Sequence, residues 1–154
     1  TGLFQLSEAQ AQPGWLDSLA GHTPETEAYG IGSFAFHAHR PFHPERFHAF
    51  LQQPWPGVIR AKGLFWLATR MELAGYVSQA GVLRDTRALG FFWAAVDRAE
   101  WPQDAESRAE IRRHWREPHG DRRQEIVFIG RDLDERTLRR QLEACLLTPL
   151  EMQA

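Results

Sequence analysis

The sequence predicts an α+β domain: a mostly antiparallel sheet of four to five strands with helices packed on one face. Three observations lead there. Apolar residues alternate at period two after Gly30, β-rich stretches succeed one another at hairpin spacing through the middle of the chain, and separate segments repeat at helical period. Strands joined by short turns pair antiparallel, and amphipathic helices must bury their apolar stripes against the sheet.

Residues 7–20, SEAQAQPGWLDSLA, predict a helix interrupted by Pro13, with Ser7 as N-cap and Gly21 as stop. The polar HTPETEAY that follows reads as a linker. In the first strand Phe34, Phe36 and Ala38 point one way while Ser33, Ala35, His37 and His39 point the other. Pro44 stands where a first helical turn begins, and Phe47, Phe50 and Leu51 recur at helical spacing until QPWPG ends the helix. GVIRAKGLFWLATR, residues 57–70, is a strand with Gly63 as a bulge or bend, and AGYVSQAGVL and LGFFWAAV extend the antiparallel run. Asp104 can cap a helix over 105–116, in which Ile111 and Trp115 share a face and EPHGD marks the end. RQEIVFIG supplies another strand. Asp134 caps a last helix whose Leu138, Leu142, Cys145 and Leu146 form one apolar stripe, stopped at Thr148-Pro149.

With 154 residues, 43% of them hydrophobic, the chain can build one sizeable core and does not demand two. Twenty acidic residues nearly balance 18 basic ones, for a net charge of -2, so no global field would hold the chain on nucleic acid or an anionic membrane. No apolar run approaches the ~20 residues of a membrane span, and no secretion-signal layout opens the chain. The single cysteine, Cys145, allows neither an intrachain disulfide nor a thiolate zinc cluster, which suits a reducing, cytoplasmic setting. The chain begins at Thr1 rather than at a methionine, so a piece of a longer protein is expected.

Catalytic templates are missing: no G-x-x-x-x-G-K-[ST] phosphate loop, no H-E-x-x-H, no G-x-S-x-G elbow. GIGSFA matches G-x-G-x-x-A but leads into a strand, where no helix N-terminus would face a pyrophosphate. Cys145 lies in an apolar stripe and reads as core, not nucleophile.

FHAHRPFHP offers His37, His39 and His43 as metal ligands. On a strand, His37 and His39 project to one side about 7 Å apart, close enough to share a zinc, with His43 curling back as the third ligand. Against a metal, no Asp or Glu lies within this segment before Glu45 to orient the rings, and a sheet covered on one side needs a polar opposite face anyway. The polar face is the preferred reading and zinc the alternative. RRHWREPHGDRR, residues 112–123, is either an anion-contact surface or a helix end laced with ion pairs; its interleaved Glu117 and Asp121, with Glu110 nearby, favour ion pairs. Trp55, Phe65 and Trp66 could stack on a ring-bearing ligand, but at strand spacing they read as core.

PGWLDSL, TPETEAYGIGSF, RPFHPERF, WPGVIRAKGLFWLATR, SQAG, GDRRQEIVFIG and ACLLT together resemble the C-terminal domain of the CobW family of P-loop GTPases, over nearly the whole chain. The resemblance implies a non-catalytic accessory domain of a GTPase that delivers zinc or cobalt, with some relatives serving cobalamin synthesis. Residues 1–29 would be the helical tail of the GTPase domain plus linker, and 30–154 the accessory domain. GTP, Mg and the Cys-x-Cys-Cys metal motif would belong to that N-terminal domain, which together with a client metalloprotein is the implied partner. Relatives of the form FVYRARRPFHP carry arginines where this chain has His37 and His39, which implies a partner-facing polar sheet surface. Arg40, Arg60, Lys62, Arg122 and Arg123 are the docking residues expected on it. The rival is a stand-alone zinc-binding protein using the His-x-His pair.

Overall fold

The structure, a computed structural model, describes residues 30–153. The helix expected over 7–20 and its linker lie outside the described residues. Five strands form one sheet: β1 (Ile31–Ala38), β2 (Val58–Leu67), β3 (Arg70–Ala80), β4 (Leu83–Phe91) and β5 (Gln124–Arg131). Their spatial order is β1-β5-β2-β3-β4, and every neighbouring pair is antiparallel. The helices are α1 (Pro44–Gln52), α2 (Ala105–Arg113), α3 (Glu135–Cys145) and the single turn α4 (Pro149–Met152).

β2, β3 and β4 form a meander, and β5 returns from the far edge to insert between β1 and β2. The register aligns Phe34 with Phe128 and Phe128 with Ala61, so these residues share one face of the pleat. That face is closed by α1 and α3. Phe36, Phe42, Phe47, Phe50, Trp55, Phe128, Leu138 and Leu142 are all buried there. Phe42 and Phe47 stack at 4.4 Å, Phe34 and Phe128 at 5.0 Å, and Trp55 meets Phe128 edge-on at 5.4 Å. Each such ring contributes roughly 1.5–3 kcal/mol by leaving water, which makes this layer the principal source of the fold's stability. Arg84, from edge strand β4, closes its rim: the guanidinium lies 3.5 Å from the Trp55 ring and donates to the carbonyls of Leu51 and Gln53 at the end of α1.

Glycine is required where strands crowd. A Cβ on Gly63 would come within 2.2 Å of the Glu125 carbonyl oxygen. The register is continuous through Gly63, so the glycine permits close approach of β5 and is not the bulge its position predicts. The irregularities fall instead at Val58/Arg60, Trp66/Leu67 and Ala74/Gly75.

Other boundaries shift too. LGFFWAAV is not a whole strand: β4 lies mostly in the polar LRDTRAL before it, and Trp93–Ala95 form a 3-10 turn. A lone edge strand needs no apolar alternation, because much of its length faces water. α2 stops at Arg113 rather than 116. α3 ends at Cys145, with Leu146 already extended as its C-cap, before the stop expected at Thr148-Pro149, which instead starts α4 through a reciprocal cap between Thr148 and Glu151.

Candidate functional site

The sheet's second face divides in two. At one end Leu64, Trp66, Ala74, Leu89 and Phe92 make a small apolar cluster beneath the segment joining β4 to β5. Asp121, almost fully buried, anchors that segment: its two carboxylate oxygens accept the backbone N–H groups of Trp93 and Ala94, both at 2.9 Å. Gln124, wholly buried, extends the β2–β5 ladder with its side chain. Its amide oxygen accepts the Trp66 N–H at 2.9 Å, and its amide nitrogen donates to the carbonyls of Trp66 at 2.7 Å and Arg40 at 3.0 Å.

The other end of this face is open and basic. Register places Lys62 beside Ser78 on β3, and Tyr76 beside Arg87 on β4. The Arg87 guanidinium covers the Tyr76 ring at 4.8 Å. Burial first, and then the charges of Arg60 and Arg87, holds the Lys62 ammonium below its ordinary pKa. Among the described residues no salt bridge joins a carboxylate to Arg60, Lys62 or Arg87. Asp85, in register with Ser78, shares this end of the face, where the strip of three cations outnumbers it and favours an acidic partner surface.

The five cations expected to dock a partner are thus distributed unevenly. Arg60 and Lys62 lie on the open strip. Arg40 donates to the Leu147 carbonyl at 2.8 Å, Arg122 to the carbonyls of Met71 and His119 at 2.6 and 3.2 Å, and Arg123 to the Asp121 carbonyl at 2.9 Å. Arg123 is only 2% exposed, and its other contact is Glu125 at 3.5 Å, so it presents no free guanidinium to a partner. Desolvation lowers its pKa while Glu125 and Asp121 oppose the shift.

His37 and His39 leave the end of β1 on this same face and are exposed. The sequence near them holds no orienting carboxylate, but the neighbouring strand supplies one: His37 Nδ1 lies 3.6 Å from Glu125 Oε1. The His39 imidazole is held below its ordinary pKa by partial desolvation, then by Arg116 and Arg123. His114 joins this neighbourhood from the end of α2, contacting Glu110 at 3.1 Å; burial and Arg123 lower its pKa, and Glu125 and Glu110 oppose them. His43 sits apart, at the N-cap of α1, where it acts through its backbone. Its N–H donates to the Cys145 carbonyl at 2.7 Å, its carbonyl accepts from Phe47 at 2.9 Å, and its side chain makes no cap bond. Among the described residues no three His, Cys, Asp or Glu side chains are grouped to hold a metal ion. Cys145 is buried, its thiol pushed up to about 11 by desolvation.

Residues 31–146 match the family described as the Cobalamin synthesis protein cobW C-terminal domain. The chain is 41% identical to the Zinc-regulated GTPase metalloprotein activator 1 of Dictyostelium discoideum, over 99% of this chain and 33% of that protein. It is 32% identical to a zinc chaperone of Mycobacterium tuberculosis, over 87% of this chain and 34% of the relative. Among solved structures, the Zn(II)-bound YjiA GTPase from E. coli superposes with a TM-score of 0.52, covering 82% of this chain and 33% of that one; at 14% identity the likeness is one of fold. The chain therefore spans about a third of the length of the curated relatives it matches. No helix among the described residues is long and apolar enough to cross a membrane. The matched region runs from the first residue of β1 to the residue that closes α3, and so takes in the whole sheet and both helices covering it: the chain belongs to the cobW C-terminal domain family.

Proposed function

We propose that this chain is the non-catalytic accessory domain of a metal-delivering GTPase and works as a docking module, engaging either the P-loop domain of the same protein or a client metalloprotein. The supporting observation is the division of the sheet. One face is sealed by α1 and α3, while the other carries Arg60, Lys62 and Arg87, none of which forms a salt bridge with an acidic side chain of the described residues. The names of the relatives, a zinc chaperone and a zinc-regulated GTPase activator of metalloproteins, make zinc the cargo that this reading favours. GTP and Mg would bind the P-loop domain. The nucleotide state would then shift how the two domains contact each other and so gate metal transfer, which requires contacts that differ between the two states.

Among the described residues no group of three His, Cys, Asp or Glu side chains could hold a metal ion, and His43 caps α1 through its backbone, which favours docking over a zinc site on His37, His39 and His43. The experiment has two arms. In calorimetry the 154-residue chain should give no saturable heat with GTP and Mg, and measurable affinity would refute the accessory reading. The Arg60→Glu/Lys62→Glu double variant should weaken binding to the separately produced P-loop domain or client by about tenfold or more. Unchanged affinity for both would refute docking through this face.

A further inference from the structure

A second surface, away from the basic strip, is built between α2 and the 3-10 turn Arg98–Glu100. Asp104 starts α2 by accepting the Ser107 N–H at 2.8 Å. With that start, Arg108, Ile111, Arg112 and Trp115 follow at spacings of three and four and form one stripe. Opposite stands Trp101, locked by its indole N–H, which donates to the carbonyls of Trp93 at 3.2 Å and Val96 at 3.1 Å. Its ring lies 5.5 Å from that of Trp115 at 59°, a tilted pair that leaves a V rather than a slot. Arg98 stacks across both indoles, at 5.1 and 5.7 Å. The result is a half-open cleft of about 410 Å³ lined by these six residues, Arg98, Trp101, Arg108, Ile111, Arg112 and Trp115.

Its cations meet no carboxylate of the described residues, though Arg108 donates through Nε to the Pro102 carbonyl at 2.8 Å and keeps only its terminal nitrogens for a ligand. Among the described residues no carboxylate pairs with Arg98, Arg108 or Arg112. Most acids nearby are engaged elsewhere: Glu110 with Arg113 and His114, Asp97 and Asp104 as caps, and Glu117 accepting the Trp115 indole N–H at 2.8 Å; Glu100 and Glu106 form no salt bridge with the three arginines. The cleft thus has an apolar floor of Trp101, Ile111 and Trp115 edged by three cations, Arg108 and Arg112 from α2 and Arg98 from the 3-10 turn. Tryptophan and arginine in this combination mark the energetic centres of protein interfaces, and a guanidinium matches a carboxylate in fork geometry. The volume suits one anchoring side chain with its flanking groups and not an extended strand. A bare anion would leave the indole floor unused. A nucleic acid would need a longer cationic track than three residues bordered by Asp97, Glu100 and Glu117.

We propose that this cleft docks a short acidic peptide segment of a partner protein, with one apolar side chain seated on Trp101 and Trp115 and flanking carboxylates held by Arg98, Arg108 and Arg112. This rests on the docking reading above and names the chemistry of a partner for a different face. The probe is an acetylated Glu-Asp-Leu-Glu-Asp amide, titrated into the 154-residue chain while the tryptophan indole N–H signals are followed by NMR. The signals of Trp101 and Trp115 should shift saturably. Binding should weaken about tenfold or more in Arg112→Glu, which replaces an exposed side chain, and also in Arg98→Gln, with thermal unfolding unchanged in each. The inference is overturned by no saturation at about 1 mM peptide, by equal shifts with the Gln-Asn-Leu-Gln-Asn counterpart, with acetate alone or with a short oligothymidylate, or by equal affinity in both variants. If the peptide fails while Arg60→Glu/Lys62→Glu still weakens docking, the inference falls and the docking reading stands. If the peptide binds and the double variant is silent, the reverse holds.

Discussion

Replacing Gln124 by leucine tests whether a side chain completes the ladder between β2 and β5. The amide is fully buried and satisfies three backbone groups: the N–H and carbonyl of Trp66 and the carbonyl of Arg40. Leucine fills similar space but offers no polar atom. The Trp66 carbonyl would still receive the Phe42 N–H at 2.8 Å. The Trp66 N–H and the Arg40 carbonyl would lose the amide as partner, at about 1–3 kcal/mol each. The sum, roughly 2–6 kcal/mol, is a large share of the ~5–15 kcal/mol that holds a domain folded. At about 2–4 °C per kcal/mol for a chain of this size, the midpoint of thermal unfolding should fall by roughly 4–24 °C. Urea unfolding followed by tryptophan fluorescence and circular dichroism gives the free energy, and the slope with urea should match wild type if both states expose the same surface. A Gln124→Leu protein within about 0.5 kcal/mol of wild type would refute the reasoning, since it would mean that these groups find water or each other at no cost.

Three further outcomes are expected. Gly63→Ala should destabilise by ~1–3 kcal/mol or more in the same urea assay, because its Cβ would meet backbone of β5 at 2.2 and 2.4 Å and the strands must part; a neutral result would mean that the sheet opens there freely. The Cys145 thiol, pushed up to about 11, should react with a disulfide reagent at pH 8 at least about 100-fold more slowly in the folded chain than in denaturant; equal rates would show it to be accessible. The Glu151 carboxyl is held down to about 2, first by the Thr148 backbone N–H and then by Arg46. A depressed folded pKa contributes stability above the unfolded value of roughly 4.3 and loses it as pH falls toward 2. The melting difference between wild type and Glu151→Gln should therefore be largest above pH 5 and close by pH 2, and a constant difference would rule out the ionised cap.

The strand order could not be seen from any local window. β1 was legible because Phe34 and Phe36 face a core while His37 and His39 do not, a period-two signal written by one-sided burial. β4 was not, since its residues Arg84 to Ala88 lie on an edge where neither face imposes apolar alternation, and the aromatics Phe92 and Trp93 beyond it advertised a strand but plug a loop. Of the candidate site, Arg60 and Lys62 were named through the family resemblance, and in β2 Arg60 is exposed while Lys62 is half-buried. The burial of Arg123 did not: it depends on the turn that Asp121 pins against Trp93 and Ala94. Glu125 as the partner of His37 was out of reach as well, because the pairing is made by the insertion of β5 beside β1.

By itself the sequence determined the elements with strong periodicity, the caps at Asp104 and Asp134, the core placement of Cys145 and the family resemblance, all of which depend on residues close together along the chain. Tertiary structure alone decided which cations remain free, where the cleft of Trp101 and Trp115 opens, and that Gln124 serves as backbone. These are properties of groups brought together by strand insertion and loop return, and desolvation and hydrogen bonding act on neighbours in space whatever their separation in sequence.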